Sequence, residues 1–143
     1  MAWYALVVGV DRYPAFRPQD QLSGCVNDAN AVRQFLVGRV EVPEANVLSL
    51  VSPRTPTTAL AATAANIRAE FTALQGRVNA GDHVVLFYAG HGVRVSRADS
   101  DQSHYGFVPE DAAPNGKRFT NLILGSEIHA PMVALERKGA STV

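Results

Sequence analysis

Cysteine is almost absent from this chain: Cys25 is the only one in 143 residues, so no disulfide can form within it. A reducing, cytoplasmic setting fits that usage. Long hydrophobic runs are lacking too, and none approaches the roughly 20 apolar residues of a membrane span. The apolar start, Met1 to Val10, has no basic leading segment and runs straight into Asp11 and Arg12. It reads as a first strand and not as a signal peptide. Neither sign of charge is in excess, since 13 Lys and Arg face 13 Asp and Glu. That excludes the basic surface expected of a nucleic-acid partner or an anionic membrane. No internal repeat or low-complexity stretch is present. Neither G-x-G-x-x-G nor a P-loop occurs, which argues against a doubly wound domain built to cradle a phosphate ligand.

What is present suits one globular domain. Apolar residues make up 47% of the chain, and a chain of this size can bury roughly two thirds of its unfolded surface. Tyr4 to Val8 is a continuous apolar run, the pattern of a strand covered on both faces. Arg12 to Gly24 carries two prolines and reads as a loop. A helix follows from Asn27 or Asp28, either of which can cap it, and Gly38 stops it. Asn46 to Val51 reads as a second strand. Thr57 or Thr58 can cap an alanine-rich helix from about Ala59 to Gln75. His83 to Tyr88 is a third buried strand.

Val93 to Gln102 is polar and reads as a loop or weak hairpin, and Tyr105 to Pro109 as a short strand. Pro114-Asn115-Gly116 marks a turn. Ser126 can cap a last helix, Glu127 to about Lys138, which Pro131 should either kink or delay. Ala140 to Val143 has the look of a fourth strand just opening. This order predicts an α/β fold: a parallel sheet with helices on both faces, incomplete at its C-terminal side. Sites in such sheets lie beyond the carboxyl ends of the strands. The loop after Val8 and the segment Ala89-Gly90-His91-Gly92 therefore share one rim.

HVVLFYAGHG, residues 83 to 92, is the strongest local signal. It delivers His91 to the rim between two glycines, which permit a sharp turn and close approach of a substrate. A histidine there can act as a general base, and the Gly92 N–H can donate to a developing oxyanion. It can equally be a loop histidine that caps a turn. LSGCVNDA, residues 22 to 29, lies on the same rim. Asp28 there is either a helix cap or a carboxylate that receives a basic side chain. Cys25 is either a small buried apolar residue or part of a pocket.

Together these segments resemble the caspase-like cysteine peptidases, the bacterial and metacaspase branches most closely. The resemblance rests on ALVVGVDRY, LSGCVNDANAV, AGDHVVLFYAGHG, GFVPEDA and a segment ending in SEIH, and it covers nearly the whole chain. It implies an endopeptidase with a His–Cys dyad in which His91 is the catalytic histidine and Gly92 supplies an oxyanion N–H. Cys25 and Asp28 match positions lining an acidic pocket that selects Arg or Lys before the cut bond. Animal caspases instead carry an arginine just ahead of this helix to select aspartate, and Leu22 stands there.

Three departures stand out. Ala89 replaces the serine common before Gly-His-Gly, which alters the polarity of the substrate pocket. The calcium-binding acidic loop is thin, with only Asp99, Asp101, Glu110 and Asp111 nearby, so the expectation is no metal and no other cofactor. The nucleophile, expected in a motif of the type Asp-x-Cys-His-Ser-Gly at the end of the fourth strand, is not in this chain. Residues 1–143 are thus expected to be the N-terminal part of one peptidase domain. Its partners would be a protein or peptide substrate and a complementary C-terminal chain or segment carrying the catalytic Cys. A catalytically inactive binding or regulatory module of the same family is the alternative.

Overall fold

The computed structural model describes residues 1–55, 59–96 and 103–143. Strand β1 (Trp3–Val10) is buried from Ala5 to its end, and alternation explains why the whole run is apolar. Ala5 and Val7 pack with Val26, Ala29 and Leu36 of helix α1 (Cys25–Gly38) on one face. Leu6, Val8 and Val10 face the other way. Strand β2 (Val47–Ser52) divides likewise, Val47 and Val51 toward α1 and Leu50 away from it. Helix α2 (Ala64–Arg77) covers the second face with Ile67, Phe71 and Leu74.

α2 begins at Ala64, later than the sequence suggests. Thr57 and Thr58 lie outside the described residues, and the cap is Thr63, whose side chain accepts from the Asn66 N–H at 3.2 Å. The delay has a cause in the sheet. The Val51 N–H donates to the Leu60 carbonyl at 3.0 Å and the Ala62 N–H to Ser52 Oγ at 3.1 Å, which holds Leu60 to Ala62 along β2 and away from helical geometry.

Strand β3 (His83–Ala89) pairs with β1 in parallel, Gly9 opposite Ala89. β4 (Gly92–Ser96) and β5 (Ser103–Phe107) form the antiparallel hairpin that the sequence only hinted at. A small hairpin of β6 (Ala113–Asn115) and β7 (Arg118–Thr120) turns at Gly116, whose φ is +61°. β8 (Ile123–Leu124) joins β5. Helix α3 (Gly125–Arg137) runs through Pro131 and does not wait for it. Its first turn is secured by Glu127, whose carboxylate accepts from the Leu124 N–H at 2.8 Å and from Arg68 Nε at 3.0 Å. The expected Ser126 cap is thereby replaced.

β9 (Ser141–Thr142) pairs with the first residues of β3, His83 and Val84. The main sheet thus has the order β2-β1-β3-β9, all parallel. The outer edge of β3 is covered as far as Leu86, whose N–H donates to the Val143 carbonyl at 2.8 Å, and the remainder of β3 is half-buried. α1 occupies one face, α2 and the small β4-β5-β8 sheet the other. The carboxyl ends of β1 and β3 lie side by side, which sets the place of the site.

Candidate active site

The loop leaving β1 is fixed before it reaches α1. The Tyr13 N–H donates to Gln21 Oε1 at 2.6 Å, and Gln21 Nε2 returns a bond to the Tyr13 carbonyl at 2.8 Å. The Leu22 N–H reaches back to the Asp11 carbonyl at 2.9 Å. α1 then starts at Cys25, ahead of the expected Asn27 or Asp28, and its cap is neither of these. Asp11 is the cap: its carboxylate accepts from the Cys25 N–H at 2.8 Å and the Val26 N–H at 3.2 Å. An acceptor shared by two first-turn amides satisfies donors that the helix itself leaves free. Gly9 makes the approach possible, since a Cβ there would lie 2.5 Å from the Cys25 carbonyl oxygen.

His91 is held at four points. Its N–H donates to the Tyr13 hydroxyl at 2.8 Å, and its carbonyl lies 2.9 Å from the Tyr88 hydroxyl and accepts from the Val108 N–H at 3.1 Å. Its Nε2 lies 2.7 Å from the Asp20 carbonyl oxygen. A carbonyl can only accept, so Nε2 carries the proton and Nδ1 of the neutral ring is the basic nitrogen. The ring tilts against Tyr13, with centroids 5.0 Å apart. Burial pushes the pKa of Tyr13 and Tyr88 above that of a free phenol, so both remain neutral hydroxyls around neutral pH.

The two glycines flanking His91 do different things. At Gly90 a Cβ would sit 2.7 Å from the Tyr88 oxygen and 2.9 Å from the Tyr13 oxygen, so any side chain there would have to displace both hydroxyls. At Gly92 the nearest atom to an added Cβ is the Gly106 oxygen at 3.7 Å, and φ is not positive. The sharp turn expected at Gly92 is therefore absent. Its use is directional. The Val108 N–H donates to the His91 carbonyl just beyond the ends of β4 and β5, in the position of a bonded pair, so the next pair, Gly92 and Phe107, is the non-bonded kind. The Gly92 N–H consequently faces away from β5, toward the exposed side of the hairpin.

Cys25 is half-buried in the first turn of α1. Burial, then the neighbouring Asp11 carboxylate, raises its pKa, which keeps it a thiol and opposes nucleophilic use. Among the described residues no hydrogen bond joins it to His91. Asp28 is exposed in the same turn and its side chain caps nothing, so the capping explanation for it falls. Ala89 ends β3 opposite Gly9 and is half-buried. Glu110 and Asp111 serve the fold, accepting from Ser52 Oγ and the Ala64 N–H, each at 2.8 Å. Asp99 and Asp101 lie outside the described residues.

Beside His91 and Gly92 opens a cleft of about 510 Å³ walled by Ala15, Phe16, Val93, Val108, Pro114 and Phe119. Sequence reading missed Asp11, Tyr13, Asp20 and Gln21. Asp11 and Tyr13 had left a trace, as the third and last residues of the GVDRY segment.

Comparison with known proteins fits this arrangement. Residues 4–141 match the metacaspase, peptidase C14 domain family. The chain belongs to that family. Arabidopsis thaliana Metacaspase-7 is 32% identical over 118 residues, 80% of this chain and 28% of that protein. Metacaspase-1 of Eremothecium gossypii is 28% identical over 132 residues, 90% of this chain and 27% of that protein. This metacaspase chain thus spans under a third of these curated relatives. A crystal structure of a Geobacter sulfurreducens protein shares the fold, with a TM-score of 0.68 at 19% identity, covering 98% of this chain and 46% of that one. The family is one of cysteine peptidases. No helix of the described residues is long and apolar enough to cross a membrane.

Proposed function

We propose that this metacaspase chain is the histidine-bearing part of a cysteine endopeptidase that cuts after Arg or Lys. The observation that carries the reading is His91, its Nε2 fixed by the Asp20 carbonyl and its neighbour Gly92 presenting an outward N–H. His91 Nδ1 takes the proton of a cysteine thiol, and the thiolate attacks the carbonyl carbon of the substrate. The Gly92 N–H donates to the oxyanion so formed. His91 then gives its proton to the departing amine, and water hydrolyses the thioester. These steps need no metal.

The nucleophile is assigned to a complementary segment and not to Cys25, whose raised pKa opposes the role. A strand continuing β9 in its register with β3 would come level with Ala89 about four residues past Val143. That would deliver a cysteine to the rim that carries His91. Asp28, exposed near that rim and free of any capping duty, supplies the counter-charge for a guanidinium or ammonium. A charge-assisted hydrogen bond of this kind is worth roughly 1.5–3 kcal/mol.

The test uses the full-length protein. It should cleave Arg and Lys peptides, and His91→Ala should lower turnover by about 10²–10⁴-fold while the fold survives. Asp28→Asn should erase the preference for Arg and Lys. Wild-type turnover in a folded His91→Ala variant would sink the assignment. A folded wild-type protein that cuts nothing would leave the inactive-module reading.

A further inference from the structure

We propose that the apolar cleft beside His91 receives the residue immediately after the cut bond, and that it selects a bulky aliphatic or aromatic side chain there. This rests on His91 being the base of the peptidase site.

The position of the cleft follows from the two faces of the sheet. Cys25 and Asp28 belong to α1, which packs against Ala5, Val7 and Val51. Phe16, Val93 and Val108 belong to the opposite face, with Leu6, Val8 and α2. His91, at the end of β3, stands between the two. A substrate crossing the rim therefore meets an acidic position on one side of His91 and an apolar cleft on the other. Successive side chains of an extended peptide point to opposite sides. If the residue before the cut bond turns toward Asp28, the residue after it turns toward the cleft.

The histidine decides between the two residues that could point this way. His91 lines the cleft itself, and its ring must touch the nitrogen of the leaving amine. The residue carrying that nitrogen is the one after the cut bond. The residue two positions before that one has its carbonyl on the far side of the reacting centre.

The lining sets the chemistry. Phe16 and Phe119 have ring centroids 5.8 Å apart and form an aromatic wall. Among the described residues of the lining, the cation and the carboxylate, Arg17 and Asp20, are bound to each other at 2.7 Å. Neither of them is left unpaired to favour a charged side chain. A volume of about 510 Å³ lies within the roughly 300–1,000 Å³ of small-ligand pockets, ample for leucine or phenylalanine.

The test is a set of internally quenched peptides cut by the full-length protein. Arg is fixed before the bond, and Gly, Ser, Leu, Phe or Asp follows it. A second set varies the residue preceding the Arg, with Gly after the bond. Leu and Phe should exceed Gly in kcat/KM by at least about ten-fold, the usual yield of one well-filled apolar pocket. Phe119→Ala should lower the Leu-to-Gly ratio, and Phe119→Leu should keep it. Cleavage with no preference after the bond, a preference confined to the residue before Arg, or an unchanged ratio in Phe119→Ala would overturn the subsite and leave the peptidase reading standing. Failure to cut any peptide would remove both.

Discussion

Gly90 and Gly92 bracket the same histidine, yet physical chemistry asks different things of them. An alanine at 90 would press its methyl into two phenol oxygens that already hold His91 in place. Overpacking of this kind costs about 1–3 kcal/mol. An alanine at 92 would meet only ordinary van der Waals contact. Gly90→Ala is therefore expected to lower the denaturation midpoint clearly and Gly92→Ala hardly at all. Urea unfolding of the two variants measures this, and equal losses would contradict the assignment of the crowded position. If Gly92 serves the oxyanion, Gly92→Ala should still impair turnover in the full-length protein, because a methyl beside that N–H narrows access to it.

At the scale of elements, helix α1 shows how a strand end prepares a helix start. Asp11, just past β1, gives both carboxylate oxygens to the first amides of α1. Removing a capping acceptor costs about 0.5–2 kcal/mol. Asp11→Ala should destabilise the protein by an amount in the upper part of that range, since two amides lose their partner. Asp28→Asn should cost no more than a few tenths of a kcal/mol, as expected for an exposed site without such a partner. Equilibrium unfolding of both variants checks the pair, and the reverse order would return Asp28 to the cap. The same measurement separates stability from specificity, because the change in substrate preference is expected at Asp28 and not at the cap.

At the scale of the whole molecule, the sheet is unevenly closed. Outward amides of β3 alternate with those that face β1. The Leu86 N–H donates to the Val143 carbonyl, and the His83 N–H to the Ala2 carbonyl, so even-numbered residues face the β9 side. The Tyr88 N–H therefore points past the end of β9, whereas that of Phe87 points into the ladder with β1. Hydrogen exchange on the 143-residue chain should find Tyr88 fast and Phe87 slow, a contrast that follows from local opening energies. In the full-length protein the Tyr88 amide should become protected if a strand continues along β3. Equal protection of both amides in the short chain would contradict this register.

Sequence alone determined the periodic part of this protein. The apolar run at Tyr4–Val8 is continuous because both faces of that strand are covered, whereas His83–Tyr88, expected to be buried, is half-buried apart from Val84; the two runs still marked the parallel sheet and its helices. It also delivered His91 to the rim, because a histidine between two glycines at the end of a buried strand has no other place to go. Tertiary structure decided what touches what. Asp11 became the cap of α1 and the Asp20 carbonyl the partner of His91 through contacts 14 and 71 residues apart in the chain. Such contacts leave no period in a sequence. They depend on where the loops land once the core has packed, and a backbone carbonyl, which every residue owns, carries no residue-type signal.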